Sequence, residues 1–154
     1  MTMTNAIHRP PWVPVSGHRL RVIGVHFDAV RIQGRRGELV TSRLVKVTDG
    51  DAGPVVLEQV GFRWVYFLLR PGTVHGHAWL PGVQRFGLDP TNMRRVTYVG
   101  IPALDGNTFP LRWCSEPTPQ TPYVEPESLL AAVTTAFRGV TDIHERSAAD
   151  SDFS

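Results

Sequence analysis

Apolar residues in this chain come in short runs separated by proline, glycine and polar residues, a pattern typical of short strands joined by turns. The clearest run spans Arg63 to Leu69 and is apolar or aromatic from Trp64 onward. Unbroken apolarity over the length of a strand predicts a central strand that is buried on both faces. Shorter runs predict further strands, with one or two at 19–32 and one each at 55–60, 83–86, 96–101 and 111–114.

Two segments have features of helices. Between Gly34 and Val47 the apolar residues lie one, four and three positions apart, which favours a helix even though two glycines weaken that prediction. A second helix is predicted at 127–140, because Pro126 suits a first turn and Gly139 suits the residue after the last turn. The predicted fold class is therefore α+β, with a small mixed or antiparallel sheet and two or three helices.

The chain of 154 residues is long enough for one domain that buries most of its apolar surface. Prolines concentrate at both ends of the predicted sheet region, and they predict extended segments there. The predicted organisation is a Pro-rich N-terminal arm at 1–18, an α+β core at 19–114, a Pro-rich connector at 115–126, the helix at 127–140 and a polar tail at 141–154.

The net charge of +2 hides an uneven distribution. Residues 1–114 hold 14 basic and seven acidic side chains, whereas residues 115–154 hold two basic and seven acidic ones. A basic body with an acidic end indicates either a polyanionic partner or one part of the chain folding over the other. The acidic segment is interpreted either as a solubilising tail or as a cover that competes with nucleic acid for the basic sheet.

The single cysteine, Cys114, excludes an internal disulfide framework and every zinc site built from several cysteines. The apolar run from Trp64 to Leu69 is far too short to cross a bilayer, and the polar, Pro-rich start does not have the pattern of a secretion signal. These features predict a cytoplasmic protein without a membrane segment.

Four segments between Gly61 and Trp113 follow one another in a distinctive order, namely Phe62–Phe67, Pro81–Gly87, Tyr98–Ala103 and Leu111–Trp113. This order resembles the second half of the bifunctional primase–polymerase domain, a branch of the archaeo-eukaryotic primase superfamily. In that family a strand with a basic residue, a histidine and aromatics precedes a Gly-Ile-Asp-Ile-Arg-Gly strand. A strand ending in prolines and a loop closing on Arg-Trp follow. The resemblance implies a sheet like that of an RNA-recognition motif.

The resemblance also implies which catalytic groups are missing. Enzymes of this superfamily hold two metal ions with an Asp-x-Asp pair and a third aspartate, and a histidine contacts the nucleotide phosphates. Trp64 stands where the histidine is expected, and Gln84 stands where the third aspartate is expected. Asp28, with His26 two residues before it, is the nearest counterpart of the pair. We therefore expect no nucleotidyl transfer, no metal site and no cofactor.

Without catalysis, the resemblance still implies binding of single-stranded nucleic acid or of a nucleotide. Aromatic side chains would contact the bases, and arginines would contact the phosphates. The candidate binding residues are Arg63, Trp64, Tyr66, Arg85, Arg94, Arg95 and Arg112. The alternative is a purely structural role, in which the aromatic side chains pack in the core and each arginine is a solvated surface residue. An open groove rimmed by arginines near Trp64 and Gln84 would favour ligand binding.

A second hypothesis is a protein-interaction or regulatory module in which the Pro-rich arm, with Trp12 exposed, or the C-terminal helix contacts a partner protein. The alternative for Trp12 is that it packs back on its own domain, as a lone tryptophan in an arm more often does. A filled apolar surface near Trp64 and Gln84 would favour this hypothesis. The remaining chemical candidates are weaker. His75 and His77 are interpreted as loop histidines, and Asp49 and Asp51 as turn residues rather than metal ligands. Cys114 is interpreted as a small buried residue, although Arg112 could lower its pKa.

Overall fold

The computed structural model describes residues 9–88 and 96–138. Within these ranges the chain forms seven strands, two α-helices and a short 3-10 turn, so the predicted α+β class is confirmed. In chain order the elements are β1 (His18–Val22), β2 (Asp28–Gln33), α1 (Gly34–Val47), β3 (Val55–Glu58), β4 (Trp64–Leu69), the 3-10 turn (Val74–Gly76), β5 (Val83–Phe86), β6 (Tyr98–Pro102), β7 (Leu111–Ser115) and α2 (126–138).

The strands form two antiparallel sheets. Five strands pair in the order β5-β2-β4-β3-β7, so β4 lies at the centre, as its apolar sequence predicts. Strands β1 and β6 pair only with each other and form a separate two-stranded ribbon. The edges of the main sheet are therefore β5 and β7, two of its shorter strands.

Burial along β4 differs between the two ends of the strand. Val65, Phe67 and Leu69 are fully buried on one face, and Leu68 is fully buried on the other. Trp64 and Tyr66, which share the face of Leu68, are only partly buried. The prediction of burial on both faces is therefore correct for the C-terminal end of β4 and wrong for its N-terminal end.

Both helices pack on the same face of the main sheet, which we call the helix side. Helix α1 follows β2 directly and contributes Val40 and Leu44 to the core, and α2 contributes Leu129 and Val133. The acidic C-terminal helix therefore lies on the helix side and does not cover the opposite face. Positions 139 and 140 of the predicted helix and the predicted tail at 141–154 lie outside the described residues.

Part of the opposite face is covered by the N-terminal arm and the β1-β6 ribbon. Trp12 is only 4% exposed, and its ring meets that of Phe27 edge-on with the centroids 5.2 Å apart. The Arg21 Nε donates a hydrogen bond of 2.8 Å to the carbonyl oxygen of Trp12. Trp12 therefore packs back on its own domain, and the alternative in which it is exposed for a partner is wrong, because 9–17 of the predicted arm includes part of the core.

The Pro-rich connector is also held by specific contacts. The carboxylate of Asp51 accepts hydrogen bonds from the hydroxyls of Thr118 (2.8 Å) and Thr121 (2.6 Å), and the N–H of Val124 donates to the carbonyl oxygen of Leu68 (2.8 Å). The carboxylate of Asp51 thus joins the loop after α1 to the connector. No helix within 9–88 and 96–138 is long and apolar enough to cross a membrane.

Candidate nucleic-acid interface

Beside the region under the arm and the ribbon, the face opposite the helices carries aromatic and polar side chains from three adjacent strands, and neither described helix covers them. The strand register places Arg31 of β2 opposite Tyr66 of β4 on one side and opposite Gln84 of β5 on the other. Trp64 is paired with Gln33 two residues further along β2. Because residues two apart on a strand share a face, these side chains are brought together on one surface. We call this surface the open half-face.

Arg31 joins the other groups of the open half-face. Its guanidinium carbon lies 4.0 Å from the centroid of the Trp64 ring and 5.1 Å from that of Phe86. Its Nε donates a hydrogen bond to the side-chain oxygen of Gln84, and its Nη1 lies 3.5 Å from the Tyr66 hydroxyl. The position of the guanidinium over Trp64 is a cation–π contact, which is stronger where water is partly excluded.

The open half-face is accessible to a ligand. Gln84 and Gln33 are exposed, and Arg31, Trp64 and Tyr66 are partly exposed. Next to them, Phe62 is 67% exposed, and its ring meets Trp64 edge-on at 6.2 Å. A surface of partly exposed rings with one guanidinium is neither a filled apolar core nor an arginine-rimmed groove. The open half-face is therefore a shallow platform, and 'the platform' refers to this same surface below.

The electrostatics of the platform are mixed. In the described parts of the chain, Arg31 has no carboxylate partner. The ion pair found there joins Arg63 to Glu38 at 2.9 Å. Glu58, the last residue of β3, alternates with Leu57 and therefore shares the face of Val56, which packs with the cluster under the arm. The platform thus combines an arginine without a countercharge and a carboxylate on a neighbouring strand.

The candidate arginines of the sequence analysis do not gather at the platform. Arg85 is paired with Val30, and Arg112 is paired with Leu57, so both arginines point to the helix side from opposite edges of the sheet. Arg63 has a positive φ of 56° in the loop before β4 and forms the ion pair with Glu38. Arg94 and Arg95 lie outside the described residues. Trp64 and Tyr66 are the candidate residues that the platform contains.

The three positions that resemble degenerate catalytic residues lie on two different faces. Trp64 and Gln84 are both on the open half-face, where Arg31 touches each of them. Asp28 is at the start of β2, is fully buried, and alternates with Ala29 so that it faces the helix side. Asp28 is therefore not on the surface that carries Trp64 and Gln84.

Asp28 is held inside the protein in an unfavourable environment. Its Oδ2 accepts a hydrogen bond of 3.0 Å from the N–H of Val74, and its Oδ1 has no hydrogen-bond partner among the described residues. Burial raises the pKa of Asp28 above its usual value, and the N–H groups of the turn at Val74 and the nearby His75 oppose that rise only in part. The chemistry of Asp28 is thus separated from the platform.

The other chemical candidates have structural contacts. The ring nitrogens of His75 and His77 make 3.0 Å contacts with the carbonyl oxygens of Leu88 and Thr73 respectively. Burial raises the pKa of the Cys114 thiol and Arg112 opposes that rise, so the lowering considered from the sequence does not occur. Among the described residues, no three of the histidine, cysteine and acidic side chains come close enough to share a metal ion.

Arg31 is the residue of the platform that the sequence analysis did not select. It ends the alternation of Ala29 and Arg31 against buried Val30 and Ile32, and this alternation is the signal that could have placed it on the opposite face. Its partners come from strands 33 and 53 residues later in the chain, which local patterns do not reveal.

Comparison with protein-family models, curated proteins and solved structures found no match.

Proposed function

We propose that this domain is catalytically inactive and binds single-stranded nucleic acid through the open half-face. The observation that carries the proposal is the contact of Arg31 with Trp64, Phe86 and Gln84 on the side of the sheet that the helices leave free. Arginine planes and aromatic rings are the surfaces on which proteins stack unpaired bases. The amides of Gln33 and Gln84 add donors and acceptors for base edges.

The absence of catalysis is inferred from the side chains at the positions where the primase–polymerase resemblance requires a phosphate-contacting histidine and a metal-binding aspartate. An indole stands at Trp64 and a neutral amide at Gln84, and neither can hold the divalent metal ions that neutralise a triphosphate. Asp28 is buried on the other face of the sheet. We further propose that the domain acts in the cytoplasm, where a lone half-buried thiol such as Cys114 stays reduced.

The alternative of a protein-interaction module receives less support from the contacts. Its two expected docking elements use their apolar residues inside the domain, since Trp12 of the arm and Leu129 and Val133 of α2 are buried. A mononucleotide remains a second form of the proposed ligand, because one base could stack on the platform. Oligonucleotides and single nucleotides are therefore separate arms of the test.

The test is fluorescence anisotropy with a labelled single-stranded oligonucleotide at low and high salt. We expect binding at low salt that weakens as the salt concentration rises, because phosphate contacts release counterions. Trp64→Ala removes the ring beneath Arg31, and loss of base stacking should weaken binding by about five- to a hundredfold. Competition with unlabelled mononucleotide then measures how much of the affinity one base supplies.

The matched control is Arg43→Ala, since Arg43 is an exposed residue of α1 on the helix side. It removes a positive charge without touching the platform, so its effect measures general attraction alone. Absence of binding by the unchanged protein at low salt would overturn the proposal. Equal weakening by Trp64→Ala and Arg43→Ala would also overturn it, because binding would then depend on net charge and not on the platform.

A further inference from the structure

A cleft with three arginines lies between the N-terminal arm and β1. It has a volume of about 240 Å³ and is lined by Arg9, Arg19 and Arg21 together with the arm from Pro11 to Ser16. None of its described lining residues is acidic, and the first acidic residue in the chain is Asp28. We call it the arm cleft. It shares no residue with the open half-face.

Two of the three arginines are held in place by the backbone of the arm. The Nη1 of Arg9 donates a hydrogen bond of 3.1 Å to the carbonyl oxygen of Val13, and the Nε of Arg21 donates one of 2.8 Å to that of Trp12. Each guanidinium has five N–H donors, so four remain on each arginine after these bonds. A carbonyl oxygen also leaves the positive charge uncompensated.

Arg19 adds the third charge and is the most accessible. It is exposed on β1, two residues before Arg21 on the same face of the strand, and it forms no hydrogen bond or ion pair with another described residue. Three like charges around one small cleft repel one another. An anion in the cleft would remove this repulsion and use the free donors.

We propose that the arm cleft binds a phosphate group. Guanidinium groups match phosphate oxygens with paired, charge-assisted hydrogen bonds, which is why arginine is common in phosphate sites. The cleft is smaller than the roughly 300–1,000 Å³ of sites for drug-sized ligands, and its three arginines suit a small anion such as phosphate or diphosphate. The hydroxyl of Ser16 is a further donor in the lining.

The phosphate can come from a free phosphate ester or from the backbone of a nucleic acid. The probe for the site itself is inorganic pyrophosphate, titrated into the full chain by calorimetry at low salt. Arg19→Ala should weaken pyrophosphate binding about tenfold or more, because it removes charge-assisted hydrogen bonds and leaves the bonds that hold the arm intact. Arg9→Gln is the second variant and should weaken binding in the same direction.

Arg43→Ala is the matched control, because Arg43 lies on α1 and does not line the cleft. We expect less than a twofold effect from it, and circular dichroism melts check that each variant is folded. The proposal is overturned if the unchanged protein does not bind pyrophosphate, or if Arg43→Ala weakens binding as much as Arg19→Ala does.

Two further measurements distinguish the source of the phosphate and separate the arm cleft from the open half-face. If an oligonucleotide displaces pyrophosphate, backbone phosphates occupy the cleft, and if it does not, the cleft serves a small phosphate ester. Both results presuppose that pyrophosphate binds in the arm cleft, so each is consistent with the proposal. Trp64→Ala should bind pyrophosphate as the unchanged protein does, so failure of the platform and failure of the cleft are seen in different measurements.

Discussion

Arg31 determines the chemical character of the open half-face. Its guanidinium contacts the rings of Trp64 and Phe86 and the amide of Gln84, and no carboxylate within 9–88 and 96–138 forms an ion pair with it. An arginine stacked on a ring presents a plane for bases and free N–H groups for phosphates at the same time. One residue can therefore supply both parts of single-strand recognition.

Glu58 lies on the same face and should oppose anion binding. We expect Glu58→Gln to tighten binding of a single-stranded oligonucleotide about two- to fivefold at low salt, because a like charge near the platform repels phosphates. The gain should shrink at high salt, where charges are screened. Fluorescence anisotropy at two salt concentrations measures both effects.

Glu125→Gln is the control for this prediction, since Glu125 is exposed near the start of α2 on the helix side. The change in net charge is the same in both variants. If Glu125→Gln tightens binding as much as Glu58→Gln does, the position of Glu58 on the open half-face has no special effect.

The buried carboxyl group of Asp28 should make stability depend on pH. Its pKa is raised by burial, so the ionised form is less stable in the folded protein than in the unfolded chain. The contribution of Asp28 to the free energy of unfolding is therefore fully present below its unfolded pKa of about 3.8 and is lost as the pH rises through the raised folded pKa.

We expect the stability of the unchanged protein, relative to Asp28→Asn, to fall as the pH rises from about 4 to 7. Asparagine keeps an oxygen that can accept from the N–H of Val74 but cannot ionise. Urea denaturation of both proteins across this range gives the difference, and other titrating groups cancel in it. If the difference in the free energy of unfolding between the two proteins does not change with pH, the pKa of Asp28 is not raised in the folded protein.

The packing of α1 on the sheet depends on a glycine. A Cβ at Gly37 would lie 2.7 Å from the carbonyl oxygen of Ile32 and 2.7 Å from a methyl carbon of Val65. By intrinsic helix preference alone, this glycine weakens α1. The structure shows that the close approach of α1 to β4 requires it, which local helix preference does not reveal.

Gly37→Ala should lower the free energy of unfolding by about 1–3 kcal/mol, because the methyl group must displace backbone or a fully buried valine. Urea denaturation measures the loss. Gly76→Ala is the comparison, since nothing lies within 4 Å of a Cβ at Gly76. That variant should change stability by less than about 0.5 kcal/mol. Equal effects of the two variants would contradict the close packing of α1.

The N-terminal arm belongs to the folded domain. Trp12 is buried between Phe27, Trp113 and Tyr123, with ring centroids 5.2, 6.5 and 6.3 Å away. These partners come from three distant parts of the chain. The arm therefore covers part of the face opposite the helices and forms one wall of the arm cleft.

Trp12→Ala should lower the free energy of unfolding by about 3–5 kcal/mol, because it leaves a large cavity between those rings. Val15→Ala in the same arm is the control, since Val15 is 73% exposed and its loss should cost less than about 0.5 kcal/mol. Urea denaturation compares the two. Similar small losses for both would mean that the arm does not contribute to the core.

The positions of most strands and both helices follow from the sequence alone, because apolar runs, helical spacing and turn residues act over neighbouring residues. The central place of β4 also follows, since its unbroken apolarity requires cover. The pairing of β1 with β6 and the burial of Trp12 do not follow, because they depend on contacts between distant segments.

The same limit applies to the candidate sites. Residue type and charge indicated an arginine and aromatic surface, and Trp64 and Tyr66 do lie on the open half-face. Strand register, however, turns Arg85 and Arg112 to the helix side and brings Arg31 to Trp64. A shift of one residue reverses the face of every side chain on a strand, and long-range pairing sets that register. The sequence thus determines which elements form, and the packing of distant elements determines which charged groups meet.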